Sequence, residues 1–387
     1  MTSSKWFFAS GIASCLVLAL AGPARAEEAS RPRLQILNGW THTVDVFWLK
    51  SPTERVPNGS IEPGKDRIIT TSLGHQFVIV GREVKHEATV SSRVPVQAYR
   101  FDPDSDRGVP PFYTQRTEVH GFPIVASAKV NPYALKEAAF ICEQMLGKRP
   151  DVLEAMVRSG ARLCIMAHNE FTTDLPEFVR MGSEPVPGFE GFSPKDYWDT
   201  RARGLGGSEE DPYCTCAEEN VLGFEGDPYS KENILIHEFA HNIHLRGLLN
   251  VDPTFDTRLK TAYAAAIKAG LWKGKYAATN HHEYFAEGVQ SWFDDNREND
   301  SDHNHVNTRA ELLEYDPALA AICREVFGET ELKYTKPTTR LTGHMAGYDP
   351  AKSPAFAWPE RLKAVNEAIR GNARSRDKKT NAAPKEE

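Results

Sequence analysis

The chain has 387 residues, a formal net charge of −7 and 40% hydrophobic residues. An acidic balance with no basic face argues against nucleic acid as a partner, and this length accommodates two or three domains with their own cores. Beyond the first 26 residues no apolar run is long enough to span a bilayer, and no internal repeat is visible.

The amino terminus reads as a secretory signal peptide over residues 1–26. Lys5 supplies the positive start, Trp6 to Ala21 the apolar stretch, and Ala24-Arg25-Ala26 a small-residue cleavage site. Ile12-Ala13-Ser14-Cys15 offers a lipoprotein box with acylation at Cys15 as the weaker alternative, since cleavage there would leave an apolar run exposed. The mature protein is expected to be secreted or periplasmic. It keeps Cys142, Cys164, Cys214, Cys216 and Cys323, which in an oxidising compartment implies one or two disulfides and a leftover thiol. Cys214 and Cys216 are expected to clamp a loop, because no second cysteine pair completes a metal knuckle.

Residues 33–92 hold short β-branched runs, "LQILN", "VDVFWL", "RIITT" and "FVIVG", parted by Asn38-Gly39, Asn58-Gly59 and Pro63-Gly64. This spacing predicts a small β-sandwich. Residues 93–116, rich in Pro, Asp and Arg, read as a linker. From 117 to 358 the pattern is that of a mixed α+β domain. "NPYALKEAAFICEQMLGKRPDVLEAMVRSG" holds two helices split at Pro150, and "ARLCIMA" a buried strand. A glycine- and acid-rich loop (204–227) precedes a helix with Ser230 and Asn233 as candidate caps, and another helix covers 281–295. Residues 359–387 are charged and apolar-poor, and predict a disordered tail.

The chemistry concentrates in "ILIHEFAHNIH", residues 234–244. His237 and His241, four apart on a helix, point the same way and can face one ion. A hydrolytic zinc site needs three protein ligands and an open position for water. Glu238, one residue along, stands beside that water as general base rather than on the metal. The metzincin pattern fails downstream, where His244 and Gly247 occupy its key positions; His244 is expected to lie behind the ligands or on the substrate side. The gluzincin pattern is met instead: Glu283 and Glu287 supply E-x-x-x-E on a later helix, with Phe285, Val289, Trp292 and Phe293 on its core side. One carboxylate would ligate, and the next would accept a hydrogen bond from a ligand imidazole.

"YAATNHHEYFAEGVQSWF", residues 276–293, resembles the second active-site segment of the anthrax lethal factor type of metallopeptidase, a family that includes Pro-Pro endopeptidases. Its pattern Y-x-x-x-N-x-x-E-[FY]-F-A-E is met by Tyr276, Asn280, Glu283, Tyr284, Phe285, Ala286 and Glu287. The match covers roughly residues 230–295 with the two-histidine motif. The resemblance implies His237, His241 and Glu283 as ligands of one zinc ion, Glu238 as general base, and Tyr276 as the phenol that steadies the oxyanion. Asn280 and Glu287 would support the ligands from behind.

The β-region resembles the β-domain of the von Hippel–Lindau tumour suppressor, with Trp48, the Pro63-Gly64 turn and Gly74-His75 at matching intervals. That family binds hydroxyproline in a pocket of Trp, Tyr, Ser and His. Trp48, Thr71 and His75 fall on three of these positions, while Asn58 stands where the Tyr belongs. A spacer role for the sandwich is the alternative, since fold alone does not dictate function. The Asp-, Asn- and His-rich run 294–308 reads as a hydrogen-bonded loop near the cleft, with a calcium site as the weaker alternative because no glycine or closing acid marks one.

The expectation is a multidomain protein, a small all-β sandwich followed by an α+β zincin-type metallopeptidase domain. It would cleave protein or peptide substrates as a secreted zinc metalloendopeptidase. Two alternatives stand beside this: a β-domain binding or adhesion protein with a structural zinc, and a zinc hydrolase acting on a non-peptide bond.

Overall fold

The structure is a computed structural model. It describes residues 31–105 and 108–381, with the backbone alone for 372–381. The expected signal segment, with Cys15, and the last residues of the chain lie outside the described residues. No helix among the described residues is long and apolar enough to cross a membrane.

The first region is all-β. Its strands are β1 (Arg33–Asn38), β2 (Val44–Ser51), β3 (Glu54–Ile61), β4 (Asp66–Thr70), β5 (Gln76–Gly81), β6 (Glu87–Ser91) and β7 (Val96–Phe101). They form one four-stranded sheet in the order β3-β2-β5-β6 and one three-stranded sheet in the order β4-β1-β7. Alternation along each strand sends Leu34, Ile36, Val44, Val46, Phe77 and Ile79 into a shared core. Each such side chain contributes about 1.5–3 kcal/mol when fully buried. The Pro63-Gly64 turn needs its glycine, whose φ is +68°.

The linker boundary at 93 is corrected. β7 lies inside the expected linker and pairs in parallel with β1, so the sandwich runs to Phe101. Its outer edge is covered rather than open. The Val96 N–H donates to Asn250 Oδ1 at 2.7 Å and the Val96 carbonyl accepts from Asn250 Nδ2 at 3.0 Å, while Ala98 N–H donates to the Ser159 carbonyl. The remainder of the segment is also packed, with Val109 and Tyr113 buried.

The second region is built on a mixed five-stranded sheet in the order β11-β12-β10-β9-β8. Its strands are β8 (Gln115–Val119), β9 (Phe122–Ala126), β10 (Arg162–Met166), β11 (Gly204–Leu205) and β12 (Tyr213–Ala217). β10 is "RLCIM", buried at every residue, as a strand covered on both faces must be. Between β9 and β10 run α1 (Pro132–Leu146) and α2 (Pro150–Arg158), each opening on a proline whose missing N–H costs nothing there. Then come α3 (Pro194–Arg201), α4 (Glu218–Leu222), α5 (Ile234–Asn242), a π-helical turn (Ile243–Leu248), α6 (Leu249–Val251) and α7 (Phe255–Lys268). The last elements are α8 (His281–Trp292), α9 (Arg309–Tyr315), α10 (Pro317–Phe327) and α11 (Glu360–Asn381). The described residues thus form a mixed α/β protein of three small sheets and eleven α-helices.

Three further expectations are corrected. The tail from 359 is not disordered over its described part: α11 buries Leu362 and Val365, with Ile369 packed beside them, against Phe171. That stripe is one residue wide, spaced at three and four, which is why composition hides it. Cys142, Cys164, Cys214, Cys216 and Cys323 are all free and buried, so the expected disulfides are absent among the described residues. Cys214 and Cys216 are alternate residues of β12, so both thiols enter the same helical core with Cys142 instead of clamping a loop. The "loop" at 204–227 contains β11, β12 and α4.

Candidate metal centre

Helix α5 owes its position to its apolar stripe. Leu235, Ile236, Phe239 and Ala240 are buried in the main core, leaving His237, Glu238 and His241 toward the cleft. Asn233 occupies the cap position but makes no side-chain cap bond. The first N–H groups go elsewhere: Asn233 N–H donates to Asp295 Oδ1 at 2.8 Å, and Ile234 N–H to Asn220 Oδ1 at 2.7 Å. Ser230 plays no part in these bonds. The helix start is fixed by tertiary partners in place of a local cap.

Helix α8 brings the third donor. Asn280 caps it, its Oδ1 accepting from the N–H groups of His282 and Glu283 at 2.8 and 2.9 Å. His237 Nε2 and His241 Nε2 lie 3.2 Å apart, and Glu283 Oε2 is 3.2 Å from the first and 3.3 Å from the second. Donors about 2.0–2.1 Å from one tetrahedral ion sit roughly 3.3–3.4 Å from each other. The triangle therefore has the size such an ion requires, and the donor set (two imidazoles and a carboxylate) suits zinc. Among the described residues this is the group of His, Cys, Asp and Glu with metal-ligand spacing. Burial pushes the Glu283 carboxyl up, but the imidazoles of His241 and His237 outweigh it and hold it well below the usual range.

Behind the triangle, His237 Nδ1 donates to Gln290 Oε1 at 2.8 Å. This fixes the tautomer and aims Nε2 at the centre. Gln290 Nε2 in turn donates to Glu232 Oε2 at 3.0 Å. The expected role of Glu287 is thereby corrected: it stands 3.6 Å from His237 Nδ1 and is held by His303 Nε2 at 3.2 Å and Asn296 Nδ2 at 3.0 Å. The run 294–308 supplies that support. Asp300 Oδ1 accepts from the N–H groups of Asp302 and His303 and from His303 Nδ1, so it serves the loop's own turn.

Glu238 faces the cleft, where burial raises its carboxyl against the pull of the two imidazoles. Tyr276, in a 3₁₀ turn, lines the same cleft, with its ring centroid 6.2 Å from that of His237. Burial and the nearby Glu283 charge push its phenol well up, so it remains a hydrogen-bond donor. His244 does not reach the cleft. It is fully buried, with Nε2 3.2 Å from Asp256 Oδ1 and Nδ1 3.4 Å from His282 Nδ1; His282 lines the cleft.

The opposite wall is glycine. β11 and the two residues after it read Gly204-Leu205-Gly206-Gly207. A Cβ on Gly204 would come within 2.9 Å of Glu238 Cγ, and one on Gly206 would overlap His241 Cβ. These glycines let an edge strand lie directly on the active face of α5. The sequence carried that signal as a run of glycines, legible only once the partner helix is known. Gln290, seven residues past Glu283 and so on its face, was within reach of the periodicity argument. Nothing in the sequence pointed to Arg201, which also lines the cleft.

In the β-sandwich, Thr71 Oγ1 lies 3.0 Å from His75 Nδ1, and the rings of Trp48 and His75 are 5.4 Å apart. The three side chains expected to share a pocket are therefore neighbours. Searches of protein-family models and of curated proteins found no match to the chain.

Proposed function

We propose that this chain is an exported zinc-dependent metalloendopeptidase of the gluzincin kind, similar to the lethal factor type of peptidase. One observation carries the reading: three donor atoms 3.2–3.3 Å apart, of the right kinds, on the floor of a cleft that also exposes a non-ligating carboxylate at Glu238. A zinc ion held by His237, His241 and Glu283 would supply Lewis-acid chemistry, acidifying water and polarising a carbonyl. Glu238 takes the proton from the attacking water and can pass it to the leaving amine. Tyr276 donates its hydroxyl to the oxyanion that develops on the carbonyl. The outer edge of β11 is the last in its sheet, and an extended peptide can add to it by main-chain hydrogen bonds. A purely structural metal would need neither Glu238 nor the cleft.

The deciding experiment is Glu238→Gln. The ligands are untouched, so metal content should stay at one ion per chain while chelator-sensitive cleavage of a proteome-derived peptide library falls to background. Turnover near the parent level would remove Glu238 from the mechanism. A parent protein that cleaves no peptide, with or without chelator, would remove the peptidase reading.

A further inference from the structure

Among the described residues, the buried arginines Arg162, Arg203 and Arg246 are all engaged. Arg203 is bidentate to Glu219, at 2.6 and 2.9 Å, and also donates to the carbonyls of Glu170 and Ala167. Arg162 pairs with Glu177 and lies 4.1 Å over the Tyr213 ring. Arg246 donates to the carbonyls of Glu209 and Ser159. Arg201 is partly exposed in the cleft, and among the described residues its guanidinium has no hydrogen bond, no carboxylate at ion-pair distance and no ring beneath it. What surrounds it is the cleft. It lines the same cavity as His237, Glu238, His241 and Tyr276, within electrostatic reach of Tyr276, Tyr229, Glu283 and Glu238.

Its backbone is held on both sides. Arg201 is the last residue of α3, and α3 is braced by α11: Arg361 bonds Asp196 and, at 2.7 Å, the buried Asp199. Asp199 Oδ1 also accepts from the N–H and hydroxyl of Thr173. Two residues on, the Arg203–Glu219 pair anchors the chain again before β11. So fixed a mount presents the guanidinium to the cleft already ordered, so a ligand that pairs with it pays little ordering cost there. The cleft's charges agree. Glu209, the lining carboxylate outside the metal centre, is already paired with Arg33. With a divalent ion on the ligands, Glu238 and Glu283 balance the metal, and Arg201 leaves one positive charge over.

We propose that Arg201 is the receptor for a substrate carboxylate close to the scissile bond, an acidic side chain or a C-terminal carboxylate. The planar fork of the guanidinium matches a carboxylate in two parallel bonds. This inference rests on the metallopeptidase reading, because it places the carboxylate on a substrate bound at that centre.

The test uses the zinc-loaded mature protein and calorimetry with malonic, succinic, glutaric and adipic monohydroxamates, each against its neutral amide. The hydroxamate reports on the metal, and the graded chain lets the carboxylate reach Arg201. At the best length the acid should bind about 10- to 100-fold tighter than its amide. Arg201→Gln should abolish that preference, and Arg201→Lys should retain part of it, with zinc content and melting temperature unchanged in both. Equal binding of acid and amide throughout the series, or a preference that survives Arg201→Gln, overturns the assignment and leaves the zinc reading standing. Failure of every compound to bind overturns the zinc reading and the assignment with it. Two peptide arms then identify the carboxylate: an amidated peptide with an internal Asp or Glu, and a neutral peptide with a free C-terminus. The arm whose KM rises in Arg201→Gln, with kcat nearly constant, names the source. A KM unmoved in both arms also overturns the proposal.

Discussion

The β-sandwich and the metal centre each gather a few polar and aromatic side chains, and they hold them in different ways. In the sandwich, His75 has Thr71 on one side and the Trp48 ring on another. At the candidate metal centre His237 is backed through successive layers, by Gln290, then Glu232, which pairs with Arg297 at 2.9 Å. Glu283 hangs from a helix whose first turn is capped by Asn280. A group built for chemistry must be held within a fraction of an ångström, and successive layers of buried polar partners accomplish that. A side-chain cluster with one hydrogen bond is a weaker statement about function.

That contrast breaks first at Glu283. Glu283→Ala leaves two imidazoles with no third donor and should release the metal under competition from a weak chelator, while the helix, capped by Asn280, stays folded. Gln290→Leu should act more mildly, weakening metal binding about 10- to 100-fold, as loss of an orienting partner does. Glu287→Ala should cost less than Gln290→Leu, given its longer approach of 3.6 Å to His237. Chelator titrations of the three variants rank them. If Glu287→Ala exceeds Gln290→Leu, the orienting partner has been assigned to the wrong residue.

Tyr276→Phe comes next, and it touches chemistry without touching the metal. The ring stays packed and zinc affinity should hold. If the hydroxyl donates only to the developing oxyanion, kcat and kcat/KM fall together by about 10²- to 10³-fold with KM unchanged. Steady-state kinetics on the variant settle the point, and an unchanged kcat would reduce Tyr276 to a packing residue.

What could be read beforehand follows a physical rule. Periodicity exposes elements that bury a wide apolar face, and so α1, α2, β10 and the apolar stripe of α5 were all legible. It fails where an element is stabilised by something other than its own apolar residues. β7 sits among prolines and is completed by Asn250 from the other region. β11 is only two residues long and opens on Gly204, which has no side chain to bury. α11 has three apolar residues in a charged background and depends on Arg361 reaching α3. At the site, the proposed ligands His237, His241 and Glu283 and the proposed base Glu238 stand out in the sequence because their spacing is the one a metal would impose. Gln290 shares the face of Glu283 at a spacing of seven and could have been sought by it, whereas no spacing rule ties Arg201 to the motif.

The smallest expected effect tests whether the two regions are one machine. They are joined beside α5: Asn250, eight residues beyond its end, pairs with the backbone of Val96 in β7. His75→Ala removes a half-exposed ring with a single hydrogen-bond partner. It should lower stability by no more than about 1 kcal/mol, and it should leave metal affinity and kcat/KM unmoved. Asn250→Ala removes two buried-edge hydrogen bonds at the joint itself and should cost about 1–3 kcal/mol in denaturant unfolding. Because Asn250 reaches α5 only through the π-helical turn, its loss should show in stability well before it shows in the metal. The informative outcome is the reverse ordering. If His75→Ala weakens metal binding or turnover while Asn250→Ala does not, the sandwich communicates with the cleft by a route other than this joint. Its pocket would then belong to catalysis and not to a separate binding role.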